Sequence, residues 1–164
     1  MTAPNPSREE ALVSKLKEHF PEAIKTSKIE GTHEITLSFE KGKLLDIARY
    51  LRDELGFDHL KGIIGIDEPT HKIIKVLYVA ASFSKPELLD LLVILETPLD
   101  RANPAIASAV SVWPSAHFHE RETFEMFGVK FEGHPDLRKL LTLDNWEGPP
   151  PMLKDLKFPE MGQR

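Results

Sequence analysis

Histidine and carboxylate side chains are concentrated in one short stretch, where His117, His119 and Glu120 lie within four positions and Glu122 and His134 follow. Imidazole and carboxylate groups bind zinc or iron and act as general acids and bases. On a helix, residues two apart point about 200° away from each other, so neither His117 and His119 nor the two glutamates could share one ion or substrate. The spacing favours hydrogen-bonded or solvated side chains, and a stand-alone metal-dependent hydrolase built on this cluster is the alternative.

The composition removes several other kinds of chemistry. Cysteine is absent from the 164 residues, which excludes disulfides, thiol nucleophiles and iron–sulfur clusters held by cysteines of this chain. The net charge of -5 argues against a nucleic-acid partner. Gly62 and Gly65 stand inside an apolar run without a phosphate-loop motif, so nucleotide binding is not expected. The apolar runs are shorter than a membrane helix and the amino terminus carries no secretion signal, so we expect a soluble, cytoplasmic chain.

The first hundred residues alternate between helical and strand patterns. Ser7 and Glu10 form a capping box that begins a helix, and Pro21 ends that helix. Gly56 is a suitable stop for a second helix. The periodicity of apolar residues then predicts a strand over 33–39, this second helix over 44–55, and two strands over 60–66 and 73–83 joined as a hairpin.

Residues 88–95 are ambiguous, because periodicity alone fits a buried strand and a short helix equally well. The nearby Pro86 and Pro98 favour the strand, since they bracket it closely. Strands mixed with helices in this order predict an α+β domain, with an antiparallel or mixed sheet of about four strands packed by helices.

Residues 113–127 have the pattern of a helix that places a carboxylate inside its apolar face. Trp113 and Phe127 share this face with Glu120. A buried carboxylate without a partner costs several kcal/mol, so another segment must supply a cation or hydrogen-bond donors. Arg138 is the candidate for that partner.

The other charged residues of this helix point elsewhere. Arg121 and Glu125 are four positions apart and would form a pair worth ~0.2–0.5 kcal/mol, whereas Glu122 faces outward. For Arg121, Glu122, His134 and Arg138, an internal salt-bridge cluster and docking against another chain are equally good interpretations.

Glycine and proline mark the end of this helix and the segment after it. Gly128 stands where a helix ends in a left-handed turn, and residues 129–131 alternate like a short strand. Residues 133–135 form a turn stiffened by its proline, after which residues 136–141 can form a short helix. The tail contains Trp146 and a run of prolines that favours an extended segment on a surface.

The order and spacing of these motifs resemble the signature of the 30 kDa, or C-type, subunit family of NADH-quinone oxidoreductase (respiratory complex I). The similarity rests on Glu-Arg-Glu at 120–122, Phe-Gly at 127–128 and Gly-His-Pro-Asp-Leu-Arg at 133–138, in a segment of about a fifth of the chain. By this resemblance, the residues expected at a subunit interface are Trp113, Glu120, Arg121, Glu122, Phe127, Gly128, Gly133, His134, Pro135, Arg138, Trp146, Pro149, Pro150 and Pro151.

The resemblance implies a cofactor-free, non-catalytic subunit in the peripheral arm of a membrane-bound, complex I-like oxidoreductase. Such a subunit packs on the large, 49 kDa-type subunit, which is homologous to the large subunit of nickel–iron hydrogenases, and partner subunits hold the iron–sulfur clusters. The complex couples electron transfer to ion pumping, and the subunit lies on the cytoplasmic side of the membrane. Residues 1–141 would form the α+β domain, and residues 142–164 an extended arm that docks on the large subunit.

Two features depart from the usual pattern of the family. Quinone-type members commonly show Glu-Gly-His-Pro before a Leu-Arg-Lys-Asp run, whereas this chain has Glu-Gly-Pro-Pro-Pro-Met-Leu-Lys-Asp over 147–155. His117 and Phe118 replace a more usual Asn-Trp. The first departure leaves a hydrogenase-type or sulfur-reducing relative open, and a generic adaptor unrelated to respiration is a third alternative.

Overall fold

Helices and strands alternate along the computed structural model, which describes residues 7–31, 33–143 and 145–157. The α-helices of the described residues are α1 (Arg8–His19), α2 (Leu44–Tyr50) and α3 (Ala116–Phe127). The strands are β1 (Ile24–Glu30), β2 (Glu34–Phe39), β3 (His59–Glu68), β4 (Ile73–Ala81), β5 (Leu92–Asp100), β6 (Ala105–Ala107) and β7 (Lys130–Glu132). A π-helical turn, Leu51–Leu55, continues α2.

Strands β1 to β5 form one mixed sheet in the order β1-β2-β5-β4-β3. Neighbouring strands are antiparallel except β2 and β5, which run parallel and are separated along the chain by α2 and the β3–β4 hairpin. Strands β6 and β7 form a second, two-stranded parallel sheet. The predicted α+β fold with a mixed sheet packed by helices is therefore confirmed, with five strands in the main sheet.

One hydrophobic core lies between the sheet and the helices. The alternation of β2 places Ile35, Leu37 and Phe39 inside this core, and each is fully buried. Leu16 of α1 and Ile47 of α2 are also fully buried in it. α3 packs against β3. Within residues 7–31, 33–143 and 145–157, no helix is long and apolar enough to cross a membrane.

The predicted start of the first helix is confirmed by its cap geometry. The Ser7 hydroxyl accepts a hydrogen bond from the Glu10 amide at 3.2 Å, and the Glu10 carboxylate accepts one from the Ser7 amide at 2.8 Å. The second helix ends as predicted, because Gly56 adopts a φ of 86° after the π-helical turn. The predicted hairpin is present as β3 and β4.

β1 is a strand that the sequence pattern does not indicate. Only Ile24 of its seven residues is buried, and the others are exposed or half-buried. The alternation that identifies a half-buried strand is therefore missing. The position of β1 at the edge of the sheet, paired with β2 alone, explains this exposure.

The strand predicted over 88–95 is shifted along the chain. Residues 86–88 form a 3-10 turn and β5 begins only at Leu92, so the first part of the prediction is wrong. β5 continues through Pro98 to Asp100 because β2 pairs with it only as far as Glu96, which leaves β5 hydrogen-bonded on one side at the proline. A proline near a strand is therefore not a strand boundary here.

Candidate functional site

α3 carries most of the residues that the sequence singles out. The helix begins at Ala116 rather than at Trp113, because residues 114–115 form a turn. Trp113 is 1% exposed, and its indole N–H donates to the carbonyl oxygen of Phe57 at 3.0 Å, so it joins the start of α3 to the core. At the other end, Gly128 ends the helix with a φ of 78°, as predicted.

Glu120 is fully buried, as its position on the apolar face predicts. One carboxylate oxygen accepts a hydrogen bond from the Ser108 hydroxyl and the other from the Ala109 amide, both at 2.6 Å. Burial raises the pKa of Glu120 to about 7, although both hydrogen bonds act in the opposite direction. Glu120 therefore ties the segment after β6 to the middle of α3.

The prediction that Arg138 is the partner of Glu120 is wrong. Arg138 is exposed, and its guanidinium donates to the Asp136 carboxylate at 3.0 Å. The donors come instead from a hydroxyl and a backbone amide, which satisfy the carboxylate without burying a second charge. On the outward side of α3, Glu122 is exposed as predicted. It makes no hydrogen bond or ion pair with the described residues.

Arg121 binds the backbone of the segment after the His-Pro turn. Its Nε donates to the carbonyl oxygen of Arg138 at 3.0 Å, and its Nη2 donates to that of Lys139 at 2.8 Å. The expected pair between Arg121 and Glu125 is therefore absent, and so is an ion pair within the described set of Arg121, Glu122, His134 and Arg138. The Arg121 guanidinium therefore holds the backbone of the loop at residues 138 and 139.

Glu125 binds the next part of the same loop. Its carboxylate accepts hydrogen bonds from the backbone amides of Leu140, Leu141 and Thr142, at 2.7–2.9 Å, and from the Thr142 hydroxyl. Burial alone would raise the pKa of Glu125, but these hydrogen bonds lower it to about 2. The short helix predicted over 136–141 does not form, because these amides point to Glu125 instead of to a helical neighbour.

His134 fixes the turn before this loop. Its Nε2–H donates to the carbonyl oxygen of His117 at 2.9 Å, and its Nδ1 accepts a hydrogen bond from the Asp136 amide at 3.0 Å. This arrangement requires the neutral imidazole with its proton on Nε2. Gly133 precedes it with a φ of 82°, which allows the chain to reverse after β7. The His134 ring therefore anchors the backbone of the turn, and Pro135 is exposed within it.

The histidines of the motif lie close together without forming a metal centre. The rings of His117 and His134 are 4.7 Å apart between centroids, but no three His, Asp or Glu side chains of the described residues are grouped as ligands for one ion. The buried Nδ1 of His117 has no hydrogen-bond partner among them. No observation therefore favours the hydrolase alternative.

The tail lies along the domain as far as it is described. The Trp146 indole donates to the Pro149 carbonyl oxygen at 3.1 Å, and the Met152 amide donates to the carbonyl oxygen of Met126 in α3 at 3.0 Å. Pro150 packs beside Gly128 so closely that a Cβ at Gly128 would lie 3.2 Å from it. Pro149 is exposed and Pro151 half-buried. Docking of this tail on another subunit stays a prediction.

A partly buried ion pair that the sequence pattern does not indicate anchors residues 154–155 of the tail. Asp67, at the end of β3, accepts hydrogen bonds from Arg101 at 2.6 and 3.0 Å and from the Lys154 amide at 2.8 Å. Arg101 also donates to Asp155 at 2.8 Å. Asp67 is 34 to 88 positions from these residues, so no local pattern connects them.

Apolar side chains are exposed around the loop that Arg121 and Glu125 hold. Leu141 is 61% exposed and Leu143 is 75% exposed, which is unusual for large aliphatic residues two positions apart on an anchored backbone. Within residues 113–152, large apolar side chains that are exposed include Phe118, Leu140, Leu141, Leu143 and Met152. Together they form what we call the apolar edge.

Comparison with known sequences places most of the chain in one family. A sequence profile described as "Respiratory-chain NADH dehydrogenase, 30 Kd subunit" matches residues 37–161. The C-type subunit of the F(420)H(2) dehydrogenase of Methanosarcina mazei is 36% identical over 154 residues, which cover 93% of this chain and 95% of that protein. The C-type subunit of the NADH-quinone oxidoreductase of a Roseiflexus species (strain RS-1) is 34% identical over 145 residues, 85% of this chain and 79% of the relative.

Two solved structures share the fold. One is a chain of the membrane-bound sulfane sulfur reductase, an archaeal respiratory membrane complex, with a TM-score of 0.78 at 24% identity over 90% of this chain and 85% of that one. The other is a trypsin-resistant fragment of Nqo5, with a TM-score of 0.63 at 24% identity over 78% of this chain and 98% of the fragment.

Proposed function

Because the chain belongs to the family of the respiratory-chain NADH dehydrogenase 30 kDa subunit, we propose that it is a non-catalytic subunit in the peripheral arm of a membrane-bound, complex I-like oxidoreductase. It docks on the large, 49 kDa-type subunit and lies on the cytoplasmic side of the membrane. It binds no cofactor itself, and iron–sulfur clusters in partner subunits carry the electrons. The complex couples this electron transfer to ion pumping.

The proposal rests on the hydrogen-bond partners of the buried charged side chains of α3. Glu120, Arg121 and Glu125 are all buried, and each directs its hydrogen bonds to backbone or hydroxyl groups of this chain rather than to a cleft. Buried, fully bonded polar groups of this kind fix one geometry. The motif therefore supports a structural role for α3 and gives no support to an acid–base site.

The geometry that these charges fix suits docking. Arg121 and Glu125 hold the backbone of residues 138–142. Leu140 and Leu141 of the apolar edge lie on that backbone, and Leu143 follows it directly. Exposed large apolar side chains on an anchored backbone are typical of a protein–protein interface. A preformed loop also loses little conformational entropy when a partner covers it.

Affinity purification of the full chain from gently solubilised membranes tests the proposal. We expect the large subunit and the iron–sulfur subunits to co-purify, with iron–sulfur absorption in the eluted complex and none in the chain purified alone. Recovery of the chain by itself from such membranes would contradict the proposal. Stoichiometric zinc or iron in the isolated chain would revive the hydrolase alternative.

A further inference from the structure

A pocket of 190 Å³ lies between β3 and α3, on a part of the surface that the apolar edge does not include apart from Met152. Its walls are mainly apolar and come from three separate segments of the chain. β3 contributes Ile63 and Ile64, α3 contributes Phe127, and the tail contributes Met152. Its size suits a single large aliphatic side chain.

The walls of this pocket are held in place by the fold. Gly65 of β3 is part of the lining, and a Cβ at this position would overlap the Phe127 ring, so glycine allows α3 to approach the strand. The Met152 amide donates to the Met126 carbonyl oxygen at 3.0 Å, which fixes the tail across one side. The pocket is therefore preformed by the close approach of β3, α3 and the tail.

The rim of the pocket combines exposed apolar groups with one negative charge. Ile64 is 48% exposed and Met152 is 55% exposed. Glu122 also lines the pocket, and its carboxylate has no hydrogen-bond or ion-pair partner among the described residues. This sets it apart from Glu120 and Glu125 on the same helix, whose carboxylates are both fully bonded within the chain.

We propose that this pocket is the docking site for one apolar side chain of a neighbouring subunit, whose same segment carries a lysine or arginine that pairs with Glu122. The proposal rests on the proposed function, because it takes the neighbour to be a subunit of the same complex. The apolar walls provide the driving force for insertion of the side chain. The carboxylate selects a segment with a cation, since covering Glu122 without one would bury an unpaired charge.

The charge also argues against the other occupants. In a two-fold contact between copies of this chain, centred on the pocket, the two Glu122 carboxylates would approach each other, and like charges repel. An acyl chain of a lipid would fill the apolar walls but leave the carboxylate without a cation. A segment of another subunit with one apolar and one basic side chain would fill the apolar walls and pair with the Glu122 carboxylate.

Photo-crosslinking in the assembled complex tests the site directly. With p-benzoylphenylalanine in place of Ile64, we expect an adduct to another subunit, in a peptide with lysine or arginine beside the attached residue. The same amino acid in place of Leu89, which is 57% exposed in the turn before β5, controls for non-specific reaction. An adduct with a second copy, a lipid or residues 158–164 of this chain, or no adduct in an assembled complex, would overturn the proposal.

Charge reversal provides the second measurement. Glu122→Lys should reduce the yield of that adduct and of salt-resistant complex by about tenfold, and Glu122→Gln by less. Glu18→Lys, an exposed glutamate of α1, is the matched control and should change neither. If Glu122→Lys assembles as well as the wild type, the pocket assignment fails while the proposed function stands. If even the wild-type chain recovers no complex, the proposed function itself has failed.

Discussion

The guanidinium of Arg121 and the carboxylate of Glu125, one turn apart on α3, bind opposite backbone groups of the same loop instead of each other. Arg121 takes the carbonyl oxygens of residues 138 and 139, and Glu125 takes the amides of residues 140 to 142. Consecutive peptide groups of the loop are thus fixed from a single helix face. This arrangement makes the loop an extension of α3.

Glu125→Ala should destabilise the chain and release the loop. It leaves three backbone amides without their acceptor, and we expect a loss of about 3 kcal/mol in the free energy of unfolding, with faster hydrogen exchange at Leu140, Leu141 and Thr142. Because the pKa of Glu125 is lowered to about 2 from an ordinary 4.5, its contribution is complete above pH 4.5 and is lost as the pH falls towards 2.

Glu122→Ala is the matched control for that variant, since it removes an exposed carboxylate from the same helix. Its free energy of unfolding should stay within about 0.5 kcal/mol of the wild type. Unchanged exchange at residues 140–142 in Glu125→Ala would show that the loop is held by something else.

Glu120 should give stability the opposite dependence on pH. Its pKa is raised to about 7 by burial, so between pH 4.5 and 7 the folded chain keeps a proton that the unfolded chain has lost. The free energy of unfolding therefore falls by up to about 3 kcal/mol as the pH rises through this window, and no further above it. Urea unfolding of wild type and Glu120→Gln at pH 5 and pH 8 measures this, because the variant lacks the titrating group.

Tyr78→Phe should leave stability unchanged or increase it. The Tyr78 hydroxyl is buried in the core, and it has no hydrogen-bond partner among the described residues. Removing an unsatisfied buried hydroxyl removes its desolvation cost, typically about 1 kcal/mol, and leaves the ring packing intact. A loss of more than about 1 kcal/mol in thermal or urea unfolding would show that the hydroxyl has a partner.

The parts of the fold that follow from the sequence are those encoded by neighbouring residues. The capping box of Ser7 and Glu10, the alternation of β2 and the glycine stops at Gly56 and Gly128 each depend on positions a few residues apart, and the structure agrees with each. β1 cannot be predicted in this way, because an edge strand that buries only Ile24 shows no periodic pattern of apolar residues.

The candidate site shows the limit of the same reasoning. The apolar face of α3 predicts that Glu120 is buried, but nothing near it predicts Ser108 and Ala109 as the donors, because the fold brings them there from the segment after β6. Opposite charges at Arg121 and Glu125 suggest an ion pair. Both side chains instead bind backbone groups of the loop, which would otherwise lack hydrogen-bond partners. Side-chain type alone cannot show which partner is nearest.

Leu143→Asp should impair assembly more than folding. Leu143 is 75% exposed, so its replacement should change the free energy of unfolding by less than about 0.5 kcal/mol. If the apolar edge contacts the large subunit, a buried unpaired carboxylate should reduce recovery of the complex by about tenfold or more. Leu89→Asp, at a similarly exposed leucine elsewhere, should assemble normally. Equal recovery of both variants would place Leu143 outside the interface.

Asp67→Asn should detach residues 154–155 of the tail from the domain. The Asp67 carboxylate binds Arg101 and the Lys154 amide at once, and the hydrogen bond from Arg101 holds the pKa of Asp67 below its usual value despite burial. An amide lacks the charge and one acceptor, so we expect a loss of about 1–2 kcal/mol and faster tryptic cleavage after Lys154. Asp100→Asn, which removes the charge of an exposed carboxylate that accepts from the Ala102 amide, is the control.

Because Asp67 is ionised in the folded chain, acid should have the same effect as the variant. The attachment is complete above the usual aspartate pKa and weakens as the pH falls below it. Equal cleavage of wild type and Asp67→Asn would mean that the proline segment, rather than this ion pair, holds the tail.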